Sequence, residues 1–139
     1  MLNQTKILLV EDDPMVVRMY KKKLEFDGFK LTLAYNGEEG LEALKKELPD
    51  IVLLDIMMPK MNGIEMLQIV KNHPEYKNIP VVILTNLDDR AEDIKKVKTI
   101  GAEAYWIKAN MPIGEVSEKI RAMLAGKRLS AANHDQVFN

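Results

Sequence analysis

IVLLDIMMPKMNG, residues 51 to 63, is the stretch of sequence that decides the fold. Its first four residues are apolar, as in a parallel strand that helices cover on both faces. Asp55 follows this strand directly, and Pro59 and Gly63 then turn the chain. Open α/β sheets bind ligands beyond the carboxyl ends of their strands. The stretch therefore predicts a single carboxylate at the rim of the sheet where such sites form.

Length and composition restrict the class of protein. A chain of 139 residues is the size of one domain. Twenty basic residues against 21 acidic ones give a net charge of -1, which would draw neither nucleic acid nor an anionic membrane. The absence of cysteine excludes disulfides and thiolate chemistry. The longest uncharged run, residues 78–87, is far shorter than the roughly 20 residues of a spanning helix. We expect a soluble, cytoplasmic protein with no direct nucleic acid or membrane binding.

Apolar runs of strand length alternate with helix-period segments five times. The predicted strands cover residues 6–10, 31–35, 51–54, 81–84 and 103–107. The helix starts are signalled by Asp13-Pro14, Asn36 with Glu39, Ile64, Asp89 with Glu92, and Pro112. Five βα units imply right-handed crossovers and a doubly wound α/β sandwich. The pattern fades after Gly126, so we expect a domain over residues 1–126 and a tail or linker stub over residues 127–139.

Polar side chains follow four of the five predicted strands. Glu11 and Asp12 follow the first strand, Asp55 the third, Thr85 the fourth and Lys108 the fifth. Because the carboxyl ends of parallel strands meet at one edge of a sheet, these side chains should surround a single crevice. The sequence therefore predicts three carboxylates, one hydroxyl and one ammonium in the same place.

This constellation resembles the receiver domain of two-component response regulators over roughly residues 5 to 125. The resemblance rests on the acidic pair after the first strand, the central aspartate with its turn, the fourth-strand threonine, and an aromatic residue three positions before the lysine: Glu11, Asp12, Asp55, Pro59, Gly63, Thr85, Tyr105 and Lys108. It implies a flavodoxin-like (βα)5 sandwich with a parallel sheet of order 2-1-3-4-5. It also implies a signalling protein that catalyses its own phosphorylation and dephosphorylation, and not a metabolic enzyme.

The resemblance implies roles for the residues around the central carboxylate. Asp55 would accept a phosphoryl group from a sensor histidine kinase or histidine phosphotransferase of a phosphorelay. Glu11, Asp12, Asp55 and the backbone carbonyl of Met57 would hold Mg²⁺, with Mn²⁺ as an alternative ion. The acids carry -3 and Lys108 returns +1, so a divalent cation would neutralise the remainder. Oxygen ligands suit magnesium and leave no soft ligand for zinc or copper.

The remaining family residues would contact the phosphoryl group or transmit its presence. Lys108 would neutralise one phosphoryl oxygen, and Thr85 would donate its hydroxyl to another. Asn86 would either narrow access to Asp55 or add a phosphate contact. Movement of Thr85 and an inward turn of Tyr105 would change the surface of the fourth helix, fifth strand and fifth helix, which would bind a downstream protein.

Three features depart from the family pattern, and the first is Asn86, which follows Thr85 where a smaller residue is usual. Ala109 follows Lys108 where the family usually has a proline joined through a cis bond. A cis bond without proline costs about 2.5 to 4 kcal/mol, so we expect this peptide to be trans or visibly strained. Met57 and Leu87 are apolar and cannot position water at the phosphoryl group by hydrogen bonding. We therefore predict a comparatively long-lived acyl phosphate.

Other classes of protein fit the sequence less well. A haloacid-dehalogenase-like phosphatase would need a second acid where Met57 stands, and a flavin mononucleotide carrier would meet repulsion from Glu11, Asp12 and Asp13. The context of Asp13 before Pro14 favours a helix N-cap over a metal ligand. A degenerate receiver that acts as a phosphorylation-independent interaction module remains the alternative function.

Overall fold

The computed structural model describes residues 4–86 and 90–126, and within them five strands alternate with five α-helices. The strands are β1 (Lys6–Val10), β2 (Lys30–Ala34), β3 (Ile51–Asp55), β4 (Val81–Thr85) and β5 (Ala104–Ile107). The helices are α1 (Pro14–Phe26), α2 (Gly37–Lys46), α3 (Gly63–Asn72), α4 (Ala91–Ile100) and α5 (Val116–Ala125). Two short 3-10 helices, Lys108–Asn110 and Ile113–Glu115, lie between β5 and α5.

The strands form one parallel sheet of order β2-β1-β3-β4-β5, which confirms the predicted doubly wound sandwich and its strand order. The register aligns Val10 with Leu54 and Asp55 with Leu84, so β1, β3 and β4 end at the same edge. Every residue of β3 and β4 is buried, because helices cover both faces of the central strands.

Two hydrophobic cores fill the sandwich. The core beneath α2, α3 and α4 contains Met66, Leu67 and Val97 against the sheet. The core beneath α1 and α5 contains Leu24, Trp106 and Ile120 against the opposite face. Because strand side chains alternate between faces, neighbouring residues of one strand enter different cores.

The element boundaries follow local capping chemistry. Asp13 is the N-cap of α1 as predicted, and its Oδ1 accepts a hydrogen bond from Met15 N at 2.9 Å. Asn36 caps α2 as predicted, but the Glu39 carboxylate accepts from Tyr35 N and not from the cap residue. The capping box of α3, from Asn62 and Glu65, was not predicted.

Several element boundaries differ from the sequence prediction. Strand β2 begins one residue earlier and ends one residue earlier than predicted, and β5 begins one residue later. Pro112 precedes a 3-10 turn, so α5 begins at Val116 and not at the proline. No helix within the two described ranges has the length and apolar character to cross a membrane. The predictions for Leu87, Asp89 and residues 127–139 concern residues outside those that the structure describes.

Candidate functional site

Three carboxylates meet at the carboxyl edge of the sheet. Glu11 and Asp55 follow or end the adjacent strands β1 and β3 and are 0% and 2% exposed, whereas Asp12 is exposed. One oxygen from each of Glu11, Asp12 and Asp55 lies within 4.8 Å of the other two. Backbone bonds fix the first acid, because Glu11 N donates to Ala34 O and the Glu11 carboxylate accepts from Asp13 N. The donor set is all oxygen and fits a hard divalent cation.

Lys108 joins the two buried acids. Its Nζ lies 2.9 Å from Glu11 Oε1 and 3.4 Å from Asp55 Oδ1, although 97 and 53 residues separate it from them in the sequence. The Lys108 side chain is 14% exposed, so solvent screens these charges little. The peptide bond between Lys108 and Ala109 is trans, as predicted, because the described part of the chain contains no cis peptide bond.

The packed charges shift the ionisation of the site. Burial, which is the largest cause, and the negative charges of Glu11 and Asp12 together raise the pKa of Asp55 to about 7, against the opposing effect of Lys108. Burial alone would lower the pKa of Lys108, but attraction to Asp55 and Glu11 outweighs burial and leaves the pKa raised. In the protein without a cation, the site therefore carries more negative charge than one lysine can balance.

The loop after β3 turns back and packs closely against the backbone of Asp55. Gly63 N donates to Ile56 O at 2.9 Å, and a Cβ on Gly63 would lie 2.1 Å from the carbonyl oxygen of Asp55. Gly37 N donates to Met61 O, so the N-terminus of α2 supports the same loop. Gly37 is a supporting residue that the sequence analysis missed, since its role depends on a contact between distant segments.

The other predicted residues lie around the acids. Thr85 ends β4, is 1% exposed, and donates from Oγ1 to Trp106 O at 3.3 Å. Tyr105 is half-buried and packs against the core beneath α2, α3 and α4. Met57 and Asn86 are exposed and line an open cleft of about 690 Å³ that continues toward α4. The structure thus brings Glu11, Asp12, Asp55 and Lys108 together and leaves the remaining predicted residues at the margin.

The comparisons with known proteins agree with this geometry. The sequence model described as the response regulator receiver domain matches residues 7–121. The alkaline phosphatase synthesis transcriptional regulatory protein PhoP of Bacillus subtilis is 30% identical over 130 residues, which cover 94% of this chain and 52% of PhoP. The chain spans about half the length of the curated relatives it matches. Because PhoP is named a transcriptional regulatory protein, the relatives give no support to the prediction of no direct nucleic acid binding.

Solved structures share the fold. The CheY-like response regulator receiver domain protein from Methanospirillum hungatei is 28% identical, with a TM-score of 0.81 over 93% of this chain and 100% of that chain. The Mn²⁺-bound form of response regulator Rcp1 is 26% identical, with a TM-score of 0.75 over 85% of this chain and 92% of that chain. The family match, the strand order and the acidic site together show that this chain belongs to the response regulator receiver domain family of two-component signal transduction.

Proposed function

We propose that Asp55 is the phosphoacceptor of this receiver domain. As a receiver domain the chain is a signalling module and not a metabolic enzyme, and such domains take phosphate from sensor kinases. The observation that carries the proposal is the position of Lys108 Nζ, within 3.4 Å of Asp55 and 2.9 Å of Glu11. A phosphoryl group on Asp55 would therefore form beside a fixed ammonium at the open end of the sheet.

The same carboxylates supply a cation site. We infer that Glu11, Asp12, Asp55 and the backbone carbonyl of Met57 hold Mg²⁺, or Mn²⁺, of which the structure of Rcp1 gives one bound example in a relative. When bound, the cation would neutralise charge on the carboxylates and on the phosphoryl oxygens. Asp55 would then be ionised at neutral pH despite its burial, which is the form that can act as a nucleophile.

The transfer step would conserve the phosphoryl group. A carboxylate oxygen of Asp55 would bond to phosphorus as the bond from phosphorus to the donor histidine nitrogen breaks, and the imidazole would keep the bonding electrons. Lys108 would neutralise one phosphoryl oxygen, and Thr85 would donate its hydroxyl to another. Asn86, exposed at the margin, would make a further phosphate contact. Reaction with water would later return the free carboxylate of Asp55.

Thr85 would transmit the presence of the phosphoryl group to the surface that binds a downstream protein. Thr85 Oγ1 donates to Trp106 O in the present structure. If the hydroxyl moved to the phosphoryl group, β5 would lose this hydrogen bond at the residue after Tyr105. We propose that the surface of α4, β5 and α5 then changes and binds a downstream protein. We further propose that residues 1–126 form the receiver unit, that it acts in the cytoplasm, and that any contact with DNA would belong to other parts of the protein.

The alternative, a degenerate receiver that binds partners without phosphorylation, lacks a specific observation in its favour. Two departures from the family pattern would allow it, namely Ala109 in place of a proline after Lys108 and Asn86 after Thr85. Lys108 Nζ nevertheless contacts both buried carboxylates, although the peptide bond that follows Lys108 is trans. The full set of acids and the lysine is in place, so phosphorylation is the better supported function.

A direct labelling experiment tests the proposal. The protein is incubated with acetyl phosphate and Mg²⁺, and the modified peptide is identified by mass spectrometry. We expect one phosphoryl group on Asp55, loss of labelling in the presence of a chelator, and loss in the Asp55→Asn variant. The Asp13→Asn variant is the matched control, because Asp13 is a helix cap beside the site and should be labelled at Asp55 normally. Labelling at another residue, or labelling that a chelator does not affect, would contradict the proposal.

A further inference from the structure

The hydroxyl of Thr85 is bound to the backbone of a tryptophan. Thr85 Oγ1 donates to the carbonyl oxygen of Trp106 at 3.3 Å, and the two residues are 1% and 2% exposed. Thr85 is paired with Ile107 in the register between β4 and β5. The hydrogen bond is thus an additional link between the end of β4 and the middle of β5, made by a side chain that lies beside the phosphoacceptor site.

Trp106 and Tyr105 enter different cores. Tyr105 packs against the core beneath α2, α3 and α4, which contains Ile83 and Val97. Trp106 belongs to the core beneath α1 and α5, where Val116 and Ile120 are also buried. A displacement of β5 at the Trp106 carbonyl would therefore be felt on both faces of the sheet, and the larger of the two aromatic side chains lies on the α5 face.

The indole of Trp106 is not fully satisfied in this arrangement. Its Nε1 is buried and has no hydrogen-bond partner among residues 4–86 and 90–126. A buried donor without a partner is unfavourable, and each such group in a folded protein calls for an explanation. An arrangement that brings the indole Nε1 within reach of an acceptor would therefore be favoured by this donor.

Helix α5 is joined to α1 on the outside of this core. Ser117 Oγ donates to a carboxylate oxygen of Asp27, and Arg121 Nη2 donates to Asp27 O at 2.7 Å. The Arg121 guanidinium also lies 4.5 Å from the centre of the Phe29 ring. Helix α5 and the end of α1 are thereby linked, so a movement of Trp106 beneath α5 would reach α1 as well.

We propose that Trp106 is a second output element, which carries the release of Thr85 across the sheet to the core beneath α1 and α5. This inference rests on the proposed function, because the phosphoryl group on Asp55 is what draws the Thr85 hydroxyl away from the Trp106 carbonyl. The carbonyl then loses its side-chain donor, β5 relaxes, and the indole repacks against α5. The change on the α5 face accompanies the change at Tyr105 and does not depend on that tyrosine.

Intrinsic fluorescence tests the first step, because Trp106 is the single tryptophan of the chain. Beryllofluoride, a phosphoryl mimic, is titrated with Mg²⁺ into the wild-type protein, Thr85→Ser and Thr85→Val, and fluorine NMR reports bound ligand independently. We expect a saturable shift in tryptophan emission in the wild type and in T85S, which keeps the hydroxyl. We expect no shift in T85V, which has similar volume but no hydroxyl. Mg²⁺ alone should leave the emission unchanged.

The possible results separate the two proposals. Bound beryllofluoride with unchanged wild-type emission, or an equal shift in T85V, would overturn the role of Trp106 and leave the phosphoacceptor assignment intact. Absence of bound beryllofluoride in the wild type would overturn the proposed function, and the role of Trp106 would fall with it.

Amide hydrogen exchange tests the second step. Beryllofluoride should change exchange in α5, over residues 116–125, in the wild type, and Trp106→Phe should lose this change while keeping the change in α4. Tyr105→Phe is the matched control on the other face and should keep the α5 change. Because W106F retains an aromatic ring but leaves a cavity in the core, a cooperative thermal melt should confirm that the variant is folded before its exchange is compared. A full α5 response in W106F would overturn the proposal.

Discussion

Replacement of Asp55 by asparagine should stabilise the protein in the absence of a divalent cation. Asp55 is 2% exposed and lies beside the buried carboxylate of Glu11, so its ionised form opposes folding. Asparagine has nearly the same shape, keeps an oxygen that can accept from Lys108 Nζ, and removes the charge. The substitution thus removes repulsion within the site while retaining its packing and the pairing of Lys108 with Glu11.

The size of the effect follows from the pKa of Asp55. Its rise from 3.8 to about 7 corresponds to about 4 kcal/mol, at about 1.36 kcal/mol per unit, once the carboxylate is ionised in both states. This figure is an upper value, because water and side-chain relaxation soften buried charges. A domain of this size gains about 3 °C in melting temperature per kcal/mol, so we expect a rise of several degrees and at most roughly 12 °C.

The raised pKa of Asp55 makes the free energy of unfolding depend on pH. Between about pH 4 and 7 the folded protein holds a proton on Asp55 that the unfolded chain has lost, so wild-type stability falls as pH rises through this window. The difference in free energy of unfolding between D55N and wild type should therefore grow from pH 4 to 7 and be constant above about pH 8.

Urea denaturation in a chelator, repeated from pH 4 to pH 9, measures this difference. Asp12→Asn is the matched comparison, because the same substitution at the exposed acid should give a much smaller gain. Addition of Mg²⁺ at pH 8 should stabilise the wild type and leave D55N nearly unchanged. Equal pH profiles for wild type and D55N in the chelator would refute the electrostatic reasoning.

Three further predictions concern neighbouring residues. Lys108→Met should lower the free energy of unfolding by about 3 kcal/mol at pH 8 and by less at pH 5, where Asp55 is protonated; urea denaturation at both values tests this, and an equal loss would contradict it. Gly63→Ala should cost about 1 to 3 kcal/mol in the same assay, because its Cβ would overlap Asp55 O, and wild-type stability would show that the loop accommodates it. Phosphorylated Asp55 should lose its label more slowly than a small acyl phosphate hydrolyses, and Met57→Gln should shorten its lifetime in a time course by mass spectrometry; loss at the rate of the small compound would count against an effect of the apolar side chain.

The fold was predictable because its signals are local. Continuous apolar runs such as residues 51–54 and 81–84 are typical of buried parallel strands, and helix-period segments separate them. A parallel sheet places all carboxyl ends at one edge, so the proximity of Asp55 to the acids after β1 followed from topology alone. The cap at Asp13 was likewise predictable from two adjacent residues.

Other properties were decided only by the tertiary structure. The sequence Glu11-Asp12 does not reveal that the first acid is buried and the second exposed. Nor does it reveal that Lys108 bridges two acids without a following proline, or that Thr85 donates to Trp106 O. These features depend on strand register, loop path and the packing of two cores, which distant segments set together. The residue types of the candidate site are therefore determined by the sequence, whereas their burial, ionisation and hydrogen-bond partners arise only when the chain folds.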